Sequence, residues 1–245
     1  MPSGDMSDRL LAHVGIPKRY ATLDLDGYRP ATESQTEALA AARRLVEGEI
    51  DGLALLGQPG LGKSHLLAAT CRAIALRHSE AYAERLARYD EATAAWLPDQ
   101  AGEQPRWPAV PEVPRWCNVP SLIVAMRSEM SAPEQDHAAR AQRLRHHAAL
   151  VVLDDLGRER MSDWTGELVY ALVNSRYEDG LPTAVASNLT PEELRDSGYW
   201  PAISRIAEHG RLIVLHGRDH RIGVGLTAAR GSAQPSRGIP SERAG

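Results

Sequence analysis

Residues 57–64 read Gly-Gln-Pro-Gly-Leu-Gly-Lys-Ser and fit G-x-x-x-x-G-K-S/T, the pattern of the phosphate-binding loop, or P-loop, of nucleotide hydrolases. Glycines let such a loop turn tightly and bring its backbone N–H groups close to an anion. The lysine of the pattern reaches the β- and γ-phosphates, and the hydroxyl after it is a ligand for Mg²⁺. The residues predicted to bind the nucleotide are Gly57, Gln58, Pro59, Gly60, Leu61, Gly62, Lys63, Ser64 and His65.

The residues on either side of the P-loop supply the context that the pattern requires. Gly52–Leu56 is a short apolar run, which is typical of a buried strand. Residues 65–74 predict a helix whose N-terminus points at the phosphates. A glycine-rich turn before a core helix is the plain structural alternative, but the strand–loop–helix order favours nucleotide binding.

A second landmark is the apolar run at residues 149–153, which ends in Asp154 and Asp155. A central parallel strand has this pattern where its carboxyl end meets a ligand. In a P-loop protein, Asp154 would hold the Mg²⁺ shell, and Asp155 would orient or deprotonate the attacking water. Asn188 follows a further apolar run, and its amide would position that water or touch the γ-phosphate. An ordinary turn role for Asn188 stays open.

Composition limits the class of protein. The 245 residues suit one α/β domain, or one domain with an appendage. A net charge of −4 argues against a protein coated in basic charge, although a local basic groove would not show in this total. Cys71 and Cys117 do not make a disulfide framework or a metal site. Because no apolar run reaches membrane-spanning length, we expect no membrane association and a cytoplasmic location.

Strands alternate with helices along the chain, which predicts a parallel sheet. We expect a mobile N-terminal segment at 1–15, an ATPase core at 16–226 and a disordered tail at 227–245. A charged and then proline-rich insertion interrupts the core at about 78–114; it is either a solvated insertion or a partner-binding arm. A polar helix at 133–147 carries several arginines and histidines, so it is either a solvated face or a nucleic-acid contact.

In their order and spacing, these motifs resemble the AAA+ ATPases of the DnaC/DnaI helicase-loader group, whose core the transposition helper IstB shares. The resemblance covers roughly residues 16–222. It implies an α/β P-loop AAA+ fold of the ASCE type. This fold is a three-layer sandwich around a parallel five-stranded sheet of order 5-1-4-3-2, without a separate lid domain. The segments that carry the resemblance are residues 57–67, 150–157, 174–177, 181–183, 187–189 and 204–206.

The resemblance also implies how the site works. ATP and Mg²⁺ would lie between neighbouring subunits of an open helical oligomer, with residues 16–20 beside the adenine. Asn188 looks like sensor 1, and Arg205 looks like the arginine finger that reaches the γ-phosphate of the adjacent protomer. A surface salt bridge is the structural alternative for Arg205. The predicted catalytic residues are thus Lys63, Asp155, Asn188 and Arg205, and the predicted metal ligands are Ser64 and Asp154.

The function that this resemblance implies is a DNA replication protein that binds and hydrolyses ATP. It would load a replicative helicase onto single-stranded DNA under an inter-subunit ATP switch. Two departures stand out: Asp-Asp replaces the Asp-Glu of many AAA+ proteins, and few residues precede the core, where loaders usually carry a helicase-binding domain. The insertion at about 78–114 is therefore a candidate for partner recognition. An IstB-like helper that partners a transposase and a P-loop small-molecule kinase are the alternatives.

Overall fold

The computed structural model describes residues 4–81, 113–129, 148–159 and 162–219, with a few isolated positions between these ranges. Its helices are α1 (Gly4–Val14), α2 (Glu33–Glu47), α3 (Lys63–Arg77), α4 (Val119–Glu129), α5 (Asp163–Glu178), α6 (Pro191–Asp196) and α7 (Trp200–Glu208), with a 3-10 turn at Lys18–Tyr20. Its strands are β1 (Gly52–Leu56), β2 (Arg115–Asn118), β3 (Val151–Leu156), β4 (Thr183–Ser187) and β5 (Gly210–Val214). Most of the expected insertion, the polar helix at 133–147 and the tail lie outside the described residues.

The strands form one parallel sheet in the order β2-β3-β4-β1-β5, which confirms the predicted order. β1 and β4 lie inside the sheet and are buried along their whole length, which accounts for their continuous apolar sequence. Because all strands run in the same direction, their carboxyl ends meet at one edge of the sheet. That edge carries the P-loop, the acid pair and Asn188.

Helices cover both faces of the sheet. Residues of α1, α2 and α3 pack on one face, and residues of α4, α5, α6 and α7 pack on the other. Along β1, Leu53 and Leu55 belong to the first core, whereas Ala54 and Leu56 belong to the second. This alternation is the ordinary period of a strand, and it confirms the predicted three-layer α/β sandwich.

The structure differs from the sequence prediction at the N-terminus, where a mobile segment was expected. Residues 4–14 form α1, and Leu10 and Val14 are buried in the core, at 0 % and 1 % exposure. Arg115 at the start of β2 donates to the carbonyl oxygen of His13 and contacts its Nε2 atom. Burial, reinforced by the Arg115 charge, lowers the pKa of His13 to about 4. The helix is thus held by apolar packing and by a neutral histidine.

The N-terminal cap of α2 also anchors the P-loop. Residues 32–35 read Thr-Glu-Ser-Gln, a capping-box pattern, and Thr32 is the N-cap whose side chain accepts from the Gln35 N–H. The Gln35 side chain, however, accepts from the Ala31 N–H rather than from that of Thr32. Its amide nitrogen donates to the Leu61 carbonyl at 3.1 Å. One buried glutamine therefore joins the start of α2 to the P-loop.

Candidate nucleotide site

The P-loop connects β1 to α3 through left-handed glycines. Gly57, Gly60 and Gly62 have φ values of 132°, 83° and 87°, a region that side chains with a Cβ rarely adopt. At Gly57 a Cβ would also lie 2.5 Å from the Leu215 carbonyl oxygen, so the space itself requires glycine. Gly62 is the N-cap of α3, and the positive end of the helix dipole therefore faces the loop.

Lys63 ties the P-loop to Asn188. Its side chain is buried, and its Nζ atom donates to the carbonyl oxygens of Gly57 and Gln58 and, at 2.9 Å, to Oδ1 of Asn188. These three acceptors match the three protons of an ammonium group. β4 thus brings the amide of Asn188, the residue that follows it, to Lys63 of the P-loop, 125 residues away along the chain.

Ser64 and Asp154 form the second contact between segments. Ser64 Oγ donates to Asp154 Oδ1 at 2.8 Å. Burial raises the pKa of Asp154, although the Ser64 hydrogen bond opposes the shift. A hydroxyl and a buried carboxylate are the hard oxygen donors that suit Mg²⁺, which usually binds one or two carboxylates together with substrate phosphates. The two side chains fit the predicted metal position, and the cation would favour the charged form of Asp154.

A β-bulge interrupts β3 at the acid pair. Leu153 pairs with Val185 and Leu156 pairs with Ser187, so β3 contains one residue more than β4 between these pairs. Asp155 has φ of 60°, the only positive value of a non-glycine among the described residues. In a regular strand, neighbouring side chains point to opposite faces. The bulge re-aims them, and both aspartates line one cavity.

Asp155 has two neighbours that the sequence analysis missed. Asn118 Nδ2 donates to Asp155 Oδ2 at 3.2 Å, and Arg158 Nη1 lies 3.6 Å from the same oxygen. The Asn118 amide is oriented because its Oδ1 accepts from the N–H and hydroxyl of Ser121. Asn118 is the last residue of β2, and Asn188 is the first residue after β4, so both lie at the carboxyl end of a strand. A polar residue at the end of the short run Arg115–Asn118 was therefore the sequence signal that could have revealed this contact.

The cavity formed by these residues has a volume of about 810 Å³, within the range of small-molecule sites. Tyr20 and Arg19 form part of its wall, with the guanidinium 4.6 Å from the ring centroid. Leu61, by contrast, is buried in the core. The predicted residues that line the cavity together are Pro59, Gly60, Gly62, Lys63, Ser64, His65, Asp154, Asp155 and Asn188.

Arg205 lies outside this cavity, on α7. Its Nε atom donates to Asn174 Oδ1, and its guanidinium stacks on the rings of Tyr170 and Tyr177, at 5.0 and 5.5 Å from their centroids. It borders Asp51, which precedes the amino end of β1. The P-loop follows the carboxyl end of that strand. Arg205 and its own P-loop therefore lie at opposite edges of the sheet.

Comparison with known proteins gives two informative sequence relatives. No family model matches the chain. The phage-like element PBSX protein XkdC of Bacillus subtilis (strain 168) is 26% identical over 174 residues, which cover 68% of this chain and 50% of XkdC. The replicative helicase loader DnaC of Escherichia coli (strain K12) is 39% identical over 72 residues, 28% of this chain and 29% of DnaC. The chain thus matches half or less of the length of these relatives.

Solved structures agree with the sequence relatives. A crystal structure of the DnaC helicase loader superimposes with a TM-score of 0.57 and 27% identity, covering 82% of this chain and 100% of that chain. The chain is similar to DnaC in both sequence and fold. DnaI gives a TM-score of 0.58 at 20% identity, over 84% of this DnaC-like chain and 94% of DnaI.

The replication initiator DnaA, solved with AMPPCP and single-stranded DNA, shares the fold as well. Its TM-score is 0.58 at 16% identity, over 88% of this chain and 56% of that chain. The resemblance to the DnaC/DnaI group and the AAA+ fold are therefore confirmed. None of the described helices is long and apolar enough to cross a membrane.

Proposed function

We propose that this DnaC-like chain binds and hydrolyses ATP and loads a replicative helicase onto single-stranded DNA. The observation that carries the proposal is the convergence of Lys63, Ser64, Asp154, Asp155 and Asn188 on one cavity. They come from three separate strand ends of an AAA+ fold, and each has a defined task in phosphoryl transfer. A core similar to the DnaC helicase loader gives that ATPase its biological context.

Nucleotide binding follows from the P-loop. The N–H groups at the start of α3 receive the phosphates, and Lys63 exchanges its present acceptors for phosphate oxygens. Ser64 and Asp154 would hold Mg²⁺, which neutralises phosphate charge when it is bound. Lys63 also donates a hydrogen bond to Asn188. When Lys63 turns to a bound nucleotide, the Asn188 amide is therefore released from this hydrogen bond. Nucleotide occupancy is thereby coupled to the residue proposed to orient the attacking water.

Hydrolysis would use Asp155 as the group that orients and activates water, with Asn118 fixing its carboxylate. Arg205 would complete the site of a neighbouring copy, because it lies at the edge of the sheet opposite its own P-loop. Arginine fingers contribute roughly 10³- to 10⁵-fold to related reactions. Self-association in which one subunit completes the site of the next, and control of loading by ATP state, follow as parts of this proposal.

The proposed partners are a replicative helicase and single-stranded DNA, and the proposed location is the cytoplasm. DnaC is a replicative helicase loader, and the similar DnaA structure contains single-stranded DNA. The insertion at about 78–114 is the segment proposed to recognise the helicase. In the sequence it follows α3 and precedes β2.

The test is ATP turnover by the purified chain with and without single-stranded DNA, combined with affinity capture of the host's replicative helicase. We expect turnover that DNA stimulates and helicase capture that depends on ATP. Lys63→Ala is the control, and it should lose nucleotide binding, turnover and ATP-dependent capture together. Capture of a transposase instead of the helicase would favour the transposition alternative. Turnover that requires a small phosphate acceptor would favour a kinase, and either result would contradict the loader.

A further inference from the structure

Ser187 stands between the three segments that build the nucleotide site. It is the last residue of β4 and is 1 % exposed. On one side it pairs with Leu156, the residue after the acid pair, and on the other with Leu56, the residue before the P-loop. Asn188 follows it directly. A single buried side chain at this position can therefore influence how the segments are spaced.

The Ser187 hydroxyl makes two hydrogen bonds that lead to different parts of the site. Oγ donates to the Leu156 carbonyl at 2.8 Å, across to β3. The same atom accepts from the Leu189 N–H at 3.1 Å, which closes the turn that carries Asn188. The hydroxyl thus joins the segment after Asp155 to the turn that holds Asn188.

The backbone around Asp155 needs such support. The register shift at the bulge interrupts the regular β3–β4 ladder between Leu153 and Leu156. Asp155 also has a left-handed backbone, which is unfavourable for most L-amino acids and persists where the surroundings impose it. The Ser187 bond to Leu156 lies directly after this irregular segment and fixes the point where the strand resumes its pairing.

We propose that Ser187 is a positioning residue for ATP hydrolysis. Its hydroxyl sets the separation between the Asp155 carboxylate and the Asn188 amide, the two groups proposed to act on the attacking water. The proposal rests on the proposed ATPase function. It assigns Ser187 no contact with the nucleotide, so its effect belongs to the chemical step and not to binding.

A matched control lies on the same strand. Thr183 is at the opposite end of β4, is 3 % exposed, and its hydroxyl oxygen accepts from Arg176 Nε at 3.2 Å. Ser187→Ala and Thr183→Val therefore each remove a buried hydroxyl from β4, one beside the nucleotide cavity and one at the opposite end of the strand. Ser187→Cys is a third variant of nearly unchanged size whose thiol is only a weak donor.

The experiment measures kcat and KM for ATP, the affinity for the fluorescent probe mant-ADP, and the melting temperature of the full chain. We expect Ser187→Ala to lower kcat by about 10- to 100-fold, as expected for catalytic groups that are misplaced by about 1 Å. Its KM and mant-ADP affinity should stay within about twofold of wild type, since the P-loop is intact. Ser187→Cys should show a smaller loss of kcat than Ser187→Ala. Thr183→Val should lower the melting temperature but change kcat much less than Ser187→Ala does.

Two results overturn the positioning role. One is wild-type kcat in Ser187→Ala, or in Ser187→Cys if the alanine variant does not fold. The other is a loss of kcat and mant-ADP affinity in equal proportion, because that pattern means a general loss of structure. Absence of ATP turnover in the wild-type chain, by contrast, refutes the proposed function and this proposal with it.

Discussion

The placement of Arg205 predicts that two inactive variants restore activity when they are mixed. Asp155→Asn removes the carboxylate from the subunit that binds ATP, and Arg205→Ala removes the guanidinium offered to the next subunit. In the structure the two residues lie at opposite edges of the sheet, Asp155 in the nucleotide cavity and Arg205 beside Asp51. A site shared between subunits can therefore take each intact residue from a different chain.

The magnitude follows from random assembly at equal concentrations. In a complete site, the subunit that binds ATP must keep Asp155, so it must be the Arg205→Ala variant, which has a probability of one half. The neighbouring subunit must keep Arg205, so it must be the Asp155→Asn variant, again with a probability of one half. About 25 % of the interfaces are then complete in a head-to-tail assembly. The ATP turnover of each variant alone should fall by roughly 10³-fold, the lower end of the contribution of an arginine finger. The mixture should thus exceed either variant by about two orders of magnitude.

The assay is steady-state phosphate release at saturating ATP and DNA, after the subunits have exchanged. A mixture of Asp155→Asn with Lys63→Ala is the matched control. Both substitutions affect the subunit that binds ATP. No combination of the two chains therefore forms a complete site, and the ATP turnover of this mixture should stay low. If the Asp155→Asn and Arg205→Ala mixture gives only the sum of its components, Arg205 does not act between subunits. Normal turnover by Arg205→Ala alone would lead to the same conclusion.

Three further predictions concern the site and its support. Asn118→Ala should lower kcat about tenfold with unchanged nucleotide affinity, because Asp155 loses its orienting donor; an unchanged kcat in stopped-flow turnover would contradict this. Burial holds the pKa of His13 at about 4, below its ordinary 6.5, so the unfolded state binds more protons between these values. Stability should be highest above pH 6.5 and should fall as the pH drops toward 4, as measured by urea unfolding; a His13→Gln variant with an equally steep loss would refute the assignment. Arg176, buried among backbone carbonyls, has its pKa lowered to about 10 by burial, and Arg176→Met should reduce the free energy of unfolding by about 3 to 5 kcal/mol. A loss below about 1 kcal/mol would show that the carbonyls find other donors.

The sequence alone was sufficient to predict those parts of the candidate site whose residues are neighbours along the chain. The P-loop glycines and Lys63 form one contiguous pattern, and the acid pair follows directly from the end of an apolar strand. Their chemistry is therefore readable without a structure, and the alternation of strands and helices predicts the parallel sheet. The resemblance then supplied the strand order, which composition and periodicity alone do not determine.

Other features depend on residues that are distant in the sequence. Asn118 lies 37 residues before Asp155, and only the pairing of β2 with β3 brings them together. The bulge is a mismatch between two strands, so neither strand shows it alone. α1 was missed because its mixed composition hides the apolar positions that pack against the core. The role of Arg205 stays a prediction, since it concerns a second copy of the chain.

The left-handed backbone at Asp155 has a consequence for how this position can drift during evolution. The residues that enter this conformation most readily are glycine, asparagine and aspartate. Of these three, aspartate alone carries a carboxylate. The backbone favours these three residues, and the proposed hydrolysis needs a carboxylate. Aspartate is therefore the one residue of the three that meets both requirements. Position 155 therefore tolerates few substitutions. This restriction agrees with the presence of Asp-Asp here in place of the Asp-Glu pair of many AAA+ proteins.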